Sequence, residues 1–233
     1  LCVFEGRYNY ILLGLIPIFI INIYFIFKNK YFLGDSGSLF LGMLISLVTI
    51  DNYNESIINN DYISKRSTVD NKNYYVLKKD NSQIACNQLS KVNSKIKKLF
   101  EVCESDGNPK YKRMIKKYNF DSLSELSPTS KYSAYSLNKG EKIKLCLRDN
   151  NNNLINNLNT SMFIMCHELS HLMTKAEQHP PIFWENMVLI LKKANEAGVY
   201  TPIDYVKNPS QYGSSIVNKN PMFMEKGENP YNN

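Results

Sequence analysis

The stretch His167–His179, HELSHLMTKAEQH, contains all three histidines of this 233-residue chain. Its first five residues follow the pattern HExxH, in which two histidines four positions apart enclose a glutamate. A helix completes a turn in about 3.6 residues, so side chains at i and i+4 lie on the same face. On such a helix His167 and His171 present two imidazole nitrogens to one metal ion, and His179 supplies a third ligand from beyond the helix.

Glu168 gives this arrangement its chemistry. A glutamate next to the first ligand lies beside the metal without binding it, where it can accept a proton from a zinc-bound water whose pKa the metal has lowered. The hydroxide that results attacks a peptide carbonyl. The sequence therefore predicts one Zn²⁺ per chain, with Glu168 as general base and a protein or peptide as substrate. The alternative is a chance match on an ordinary amphipathic helix.

The residues on either side of the histidine stretch argue against a chance match. SMFIMC, residues 161–166, is apolar enough to form a buried helix, in which solvated histidines would be poorly placed. Pro180 and Pro181 directly follow His179, and proline is tolerated in the first turn of a new helix. The histidine stretch therefore begins in one predicted helix and ends just before the start of another.

A second helix is predicted from PPIFWENMVLILKKANEAG, residues 180–198, because its apolar residues form a broad helical face. Gly198 is placed as its C-terminal stop. This helix should pack against the histidine-bearing helix. Phe183 and Trp184 come just after the third histidine, so they either wall the metal site or serve as ordinary core aromatics.

These segments resemble the WLM-type zinc metallopeptidases, in particular the divergent, membrane-anchored versions encoded by large DNA viruses of eukaryotes. The resemblance rests on HELSHL, the later His179, PPIFWENMVLILKKA and AGVYTPIDYVKNPSQY. It extends from about Tyr74 to Pro221 and is most specific between Cys146 and Tyr212.

The resemblance implies a role for each residue of the histidine stretch. In that family the two histidines of HExxH and a downstream histidine bind zinc, which corresponds here to His167, His171 and His179. The family's general base corresponds to Glu168. The chain departs from the family pattern at Gly213, where a cysteine is expected after the tyrosine, so any role of that cysteine is in doubt here.

An antiparallel hairpin is predicted before the histidine stretch. Residues 132–137 alternate imperfectly between apolar and polar, the turn-forming residues 138–141 follow, and Ile143, Leu145 and Leu147 alternate cleanly with polar residues. In HExxH peptidases the strand near the zinc helix usually offers its edge to an extended substrate, so these three residues are candidates for pairing with a peptide. The alternative is a strand buried inside the sheet with no role in substrate binding.

Two further helices complete the predicted domain. Residues 82–104 place apolar side chains near helical spacing, and a shorter helix follows from Pro109. We therefore predict an α+β, zincin-like metallopeptidase domain over residues 74–233, made of helices and a small antiparallel sheet. Tyr205 and Tyr212, which follow the second helix, are candidates for stabilising the oxyanion or for contacting substrate.

The first 73 residues predict a different kind of structure. Residues 10–27 are almost entirely apolar, and a second apolar stretch covers residues 39–50. Each stretch is near the lower length limit for a transmembrane helix, so residues 1–50 predict one or two membrane-spanning helices and a membrane location. The polar, asparagine-rich residues 51–73 read as a flexible linker.

The segment KYFLGDSGSLFLGMLISL resembles the tail of the polyprenyl-phosphate sugar-1-phosphate transferases, glycosyltransferase family 4. In that family the aspartate that corresponds to Asp35 takes part in magnesium and diphosphate chemistry. The chain lacks the many spans and the adjacent acidic pair of those enzymes. The first alternative function is therefore a fragment of an Mg²⁺-dependent transferase of N-acetylhexosamine 1-phosphate. In that case Asp35 is a vestigial site, or the chain is a junction of two gene fragments.

Composition limits the partners without naming a function. The net charge of +7 is distributed over lysine-bearing helices, for which a solvated helix face is the default explanation. WLM-type relatives in eukaryotes act on DNA-bound proteins, but no nucleic-acid-binding motif supports nucleic acid as a partner here. Five cysteines form neither a CxxC pair nor a disulfide-dense pattern, which favours a reducing, cytoplasmic-side compartment. A zinc-binding module without catalysis is a second alternative.

Overall fold

The computed structural model describes residues 61–130, 132–137, 142–149, 151–176 and 178–224. Within these ranges the chain forms a mixed α/β unit of four α-helices and seven short β-strands. The helices are α1 (Ser82–Asp106), α2 (Pro109–Lys117), α3 (Leu158–Met173) and α4 (Pro181–Glu196). The strands are β1 (Tyr62–Arg66), β2 (Asn73–Leu77), β3 (Leu123–Leu126), β4 (Ala134–Leu137), β5 (Lys142–Cys146), β6 (Ser210–Tyr212) and β7 (Ser215–Val217).

Helix α3, which carries the HExxH residues, lies at the centre of this unit. It contacts the other three helices and strands β4 and β5. Residues 161–166 are all buried, which confirms the buried helix expected from SMFIMC. The Asn157 side chain caps the N-terminus by accepting a hydrogen bond from the backbone N–H of Thr160. A helix that is apolar nearly all round is stable only when other elements cover it, so the rest of the fold forms around α3.

The helices before α3 are as predicted. Helix α1 confirms the amphipathic helix expected over residues 82–104, and α2 confirms the shorter helix expected from Pro109. Helix α1 ends before Gly107, whose φ of 72° is left-handed and suits glycine. Helix α2 starts after Asn108, whose side chain accepts a hydrogen bond from the backbone N–H of Lys110. The buried face of α1 includes Leu89, Val92, Ile96 and Leu99.

Helix α4 also has the predicted bounds. It begins at Pro181 and is followed by Gly198, which has a left-handed φ of 65°. The backbone N–H groups of Val199 and Tyr200 both donate to the carbonyl of Ala194 and so close the C-terminal end of the helix. Contacts between α3 and α4 confirm that the two helices pack together.

The principal sheet has three strands in the order β3-β5-β4. Strand β4 pairs antiparallel with β5, which confirms the predicted hairpin. Strand β3 pairs parallel with β5, so the sheet is mixed rather than antiparallel as predicted. Strand β3 was not predicted because its four residues, LSEL, include the charged Glu125, which only a partner distant in sequence can satisfy.

Residues 61–73, predicted to be the end of a flexible linker, instead fold onto the domain. Strand β1 pairs antiparallel with β2 over five residues, starting with Tyr62 opposite Leu77. Both strands also contact α1. The linker prediction is wrong for this part because contacts with α1 and pairing with β2 stabilise a strand that the polar sequence alone would not. The domain therefore starts near Asp61 rather than at residue 74, and residues 51–60 lie outside the described residues.

The predicted membrane location is wrong for the part of the chain that the structure describes. None of the described helices is both long and apolar enough to cross a bilayer. The apolar α3 has 16 residues, whereas a span needs about 20. The apolar stretches 10–27 and 39–50, on which that prediction depended, lie outside the described residues, as does Asp35.

A buried ion pair joins strand β2 and the three-stranded sheet to α1. The side chains of Arg148 and Glu125 are 1% and 0% exposed, and Nε of Arg148 donates to Oε1 of Glu125 at 2.6 Å. Oε2 of Glu125 accepts from the backbone N–H of Leu77 in β2 at 2.7 Å. Nη1 of Arg148 donates to the side chain of Asn81, just before α1, at 2.7 Å. One ion pair therefore ties together β2, β3, the end of β5 and the start of α1.

Removing one charge of this pair should destabilise the domain strongly. The Glu125→Gln variant leaves the Arg148 guanidinium buried without its counter-charge, and such losses are about 3–5 kcal/mol. We expect the urea midpoint of the full chain to fall sharply. The control is Asp121→Asn, which breaks the exposed Lys72–Asp121 pair and should move the midpoint little. Equal shifts in the two variants would contradict the role assigned to the buried pair.

Candidate metal centre

Three imidazoles converge at the C-terminal half of α3. His167 and His171 lie one turn apart on this helix, and His179 approaches from the segment between α3 and α4. The ring centroids of His167 and His171 are 5.0 Å apart, and each lies 4.9 Å from that of His179, so the rings form a nearly equilateral triangle. One ring nitrogen of each histidine lies within 4.8 Å of the others. The structure thus brings together the three ligand candidates of the sequence.

The spacing of the ring nitrogens suits one metal ion. Two nitrogens bound to a tetrahedral zinc at about 2.0–2.1 Å are separated by roughly 3.3 Å. Nε2 of His167 lies 3.1 Å from Nε2 of His179. Burial lowers the pKa of both residues, and the other two imidazoles lower that of His167 further. Neutral imidazole is the form that binds metal, so these residues fit a zinc ion.

The aromatic residues at the start of α4 hold the histidines in place. Phe183 is fully buried, and its ring centroid lies 4.9 Å from that of His167, 4.5 Å from that of His171 and 4.5 Å from that of His179. Trp184 stacks on His179 at 5.5 Å with an interplanar angle of 22°. Both alternatives of the sequence analysis therefore hold, because these two side chains belong to the core and also support the imidazoles.

Glu168 lies next to the histidine cluster without belonging to it. It is 5% exposed and borders the cavity next to His167. Burial raises its pKa to about 8. A carboxyl group with a pKa near the ambient pH is suited to accepting and releasing a proton.

Cys166, the residue before the first histidine, is directed into the core. Its side chain is fully buried, and burial raises the pKa of its thiol. Metal ligation requires a thiolate, so Cys166 is a poor competitor for a metal at the neighbouring imidazoles. The cluster of three histidines is the one group of three potential metal ligands that the described residues form.

A cavity of about 550 Å³ opens onto the histidines. One wall is residues 132–134, which lead into β4, and another is residues 215–219 with Pro221, which include β7. The second wall was not predicted from the sequence. Its strand, β7, has only three residues, SIV, which neither alternate nor form a run long enough to stand out. The other residues that line the cavity are Phe163, Ile164, His167, Glu168, His179, Trp184 and Met187.

The predicted pairing of a peptide with Ile143, Leu145 and Leu147 is wrong. Strand β5 occupies the middle of its sheet, where β3 and β4 already take up both of its edges. The three side chains are between 0% and 2% exposed and belong to the core. The clean alternation of this strand reflects burial in the sheet, which was the other reading of the same pattern.

Tyr205 and Tyr212 do not reach the cavity. Both are fully buried and neither lines it. The Tyr212 hydroxyl donates to Oγ of Ser161 at 3.0 Å, and the Tyr205 hydroxyl lies 3.5 Å from Oγ1 of Thr160. These contacts tie the segment after α4 to the N-terminal turns of α3, far along the helix from the histidines. The oxyanion and substrate-contact roles predicted for the two tyrosines are therefore wrong.

The structure explains why position 213 is glycine rather than the expected cysteine. Gly213 has a φ of 61°, in the left-handed region, and a Cβ there would lie 2.7 Å from Sγ of Cys146. Any side chain at this position would be strained by its backbone and would also clash with the thiol. Gly213 is not among the residues that line the cavity.

Residues 70–230 match the family described as WLM domain. The chain belongs to the WLM family. This is a metallopeptidase-like family, so the histidine cluster lies in a domain of the expected type. The WLM match starts at residue 70, and the transferase-like resemblance of residues 1–50 stays a prediction.

An uncharacterized protein of Acanthamoeba polyphaga mimivirus is a relative of this WLM chain. The two are 25% identical over 185 residues, which cover 77% of this chain and 94% of the viral protein. No solved structure matches the chain. The description of this relative names no function, so it adds none to the family assignment.

Metal analysis tests the histidine cluster directly. We expect the full chain to bind one zinc ion per molecule and the His171→Ala variant to lose most of it, because two imidazoles hold zinc far more weakly than three. Cys166→Ala is the matched control, since it alters the residue next to a ligand and should keep the metal. Zinc content would be measured by atomic absorption after desalting. Unchanged zinc in His171→Ala would rule out this cluster as the site.

Proposed function

We propose that this WLM protein is a zinc-dependent metallopeptidase that hydrolyses peptide bonds in protein or peptide substrates. One observation carries the proposal: three imidazole nitrogens lie within 4.8 Å of one another, and two of these histidines, His167 and His179, line an open cavity together with the buried Glu168. His167, His171 and His179 are the proposed ligands and Glu168 the proposed general base. Zinc, when bound, supplies a Lewis acid that polarises the peptide carbonyl and lowers the pKa of water.

Glu168 has two proposed tasks. Its carboxylate, the form that a bound divalent cation would favour, takes a proton from the attacking water. The same carboxylic acid can then release the proton to the amine that leaves when the peptide bond breaks. One side chain thus serves as base and as acid.

The open cavity favours catalysis over a purely structural zinc site. Structural zinc sites are usually closed by four protein ligands, whereas catalytic sites combine three with an open position. Here three residues form the cluster among the described part of the chain, and the cavity borders His167, Glu168 and His179. This arrangement supports a peptidase rather than the non-catalytic zinc module considered from the sequence.

Strand β4, not β5, is the proposed place for substrate pairing. It is the edge strand of its sheet, and Ala134 lines the cavity. The backbone N–H of Cys146 donates to the carbonyl of Ser133 at 2.8 Å. Bonded and non-bonded pairs alternate in an antiparallel ladder, so the next pair, Ala134 opposite Leu145, is non-bonded. The N–H and C=O of Ala134 therefore point away from β5, where an extended peptide could add to the sheet.

The Glu168→Gln variant separates the base from the metal ligands. Gln is nearly the same size as Glu but cannot accept the proton, and general bases contribute about 10²–10⁴-fold to rate. We expect kcat on an unfolded protein substrate to fall by at least about 10²-fold. The zinc content of the variant should stay at the wild-type level, because Glu168 is not a ligand. Retained peptidase activity in Glu168→Gln would exclude Glu168 as the base.

A proline at position 134 tests the edge of β4. Ala134→Pro removes the outward N–H without removing a hydrogen bond to β5, and edge strands tolerate proline. We expect kcat/KM for an extended peptide to fall about tenfold, roughly the value of one lost hydrogen bond in a bound state. Ala134→Gly keeps the N–H and is the control. A wild-type kcat/KM in Ala134→Pro, with zinc bound, would exclude pairing at this position.

A further inference from the structure

The segment that delivers His179 is short and adopts a strained backbone conformation. It leaves α3 at Thr174 and reaches Pro180, just before α4. Gln178, immediately before the histidine, has a φ of 62°, which is unfavourable for a residue with a side chain. Such a conformation persists only when the surrounding structure holds it. Contacts at both ends of the segment fix its course.

The start of the segment is fixed through Thr174. Its backbone N–H donates to the carbonyls of Ser170 and His171, which ends α3. Its Oγ1 donates to the carbonyl of Ser170 at 2.8 Å and accepts from Nδ2 of Asn186 at 2.9 Å. Thr174 is 2% exposed, so these bonds are shielded from water. The threonine hydroxyl thus connects the end of the ligand helix to α4.

Asn186 is held in turn from the other side. It is 1% exposed, and its Oδ1 accepts a hydrogen bond from Nζ of Lys110 in α2 at 2.8 Å. Helix α2 makes a second contact nearby, since Nε of Arg113 donates to the carbonyl of Leu172 at 3.1 Å. A chain of hydrogen bonds therefore runs from α2 through α4 to the first residue after α3.

Both ends of the segment are attached to the same helix. Asn186 follows Phe183 by three residues in α4, so the two side chains lie near one face. Phe183 contacts the ring of His179 at the far end of the segment, and Asn186 holds Thr174 at its start. The position of the third imidazole relative to the other two is thereby set by α4.

We propose that Thr174 and Asn186 are positioning residues for the third metal ligand, which hold the segment between α3 and α4 so that His179 meets His167 and His171. This inference rests on the proposed function, because it requires His179 to bind zinc. It adds residues that touch neither metal nor substrate and that act through the course of the backbone. Groups that orient metal ligands typically change metal affinity by about 10–100-fold when they are mutated.

The test is the zinc dissociation constant of the full chain, measured by competition with a chromophoric chelator. Thr174→Val keeps the shape of the side chain and removes both hydrogen bonds of the hydroxyl, and Asn186→Leu removes the partner. We expect each variant to bind zinc about 10–100-fold more weakly than wild type. Thr174→Ser keeps the hydroxyl, so its zinc dissociation constant should stay within about threefold of the wild-type value. That change is well below the one expected when an orienting contact is lost.

A control variant separates positioning from general destabilisation. Asn93 is 4% exposed, and its side chain donates to Tyr74 and Phe120 and accepts from Tyr118, all away from the histidines. We expect Asn93→Leu to lower the urea midpoint and to leave the zinc dissociation constant of the folded protein unchanged. If Asn93→Leu weakened zinc binding as much as Asn186→Leu, the proposal would be overturned in favour of a general loss of structure.

A double-mutant cycle with His179→Ala connects the effect to the third ligand. If Thr174 acts by placing His179, Thr174→Val should weaken zinc binding in the wild-type background and add nothing once His179 is alanine. An equal loss in both backgrounds, or an unchanged dissociation constant in Thr174→Val and Asn186→Leu, would overturn the inference and leave the peptidase proposal standing. Failure of the wild-type chain to bind zinc would overturn both.

Discussion

The structure depends on the burial of α3 on nearly every side except the one that carries the imidazoles. A helix with so much apolar surface has to be covered, and α1, α2, α4 and strands β4 and β5 supply that cover. His167 and His171 are fixed one turn apart by the helix itself, so their spacing needs no further support. The energetic cost of arranging a metal site is thus concentrated on His179, the one ligand candidate that α3 cannot position.

Desolvation sets the chemical state of the site. The same burial that lowers the pKa of His167 raises the pKa of Glu168, because in both cases the neutral form is the one that tolerates loss of water. Burial therefore favours the uncharged forms of His167 and Glu168. At the proposed metal site, a bound divalent cation would favour the Glu168 carboxylate.

The sequence predicted the elements whose patterns depend on residues close to one another along the chain. The periodicity of residues 82–104, the two prolines before α4 and the spacing of HExxH each depend on neighbours along the chain, and the helices and the histidine cluster followed. Strands β1 and β3 were missed because a polar strand and one containing Glu125 become stable only through distant partners, α1 and Arg148. Alternation in β5 could not distinguish a buried central strand from a substrate-binding edge. Tyr205 and Tyr212 were misassigned because their hydroxyls bond to Thr160 and Ser161, respectively, which proximity in sequence does not reveal.

The burial of the thiols has a consequence for oxidative chemistry. The four described cysteines are unpaired and buried, and burial raises the pKa of each, to about 12 for Cys103. Peroxides and disulfides react with thiolates that they can reach, and these side chains offer neither the charge nor the access. Cys166 is adjacent to a proposed ligand yet faces away from it, so oxidation there is disfavoured as well. Oxidation at these four residues is therefore disfavoured while the WLM domain is folded.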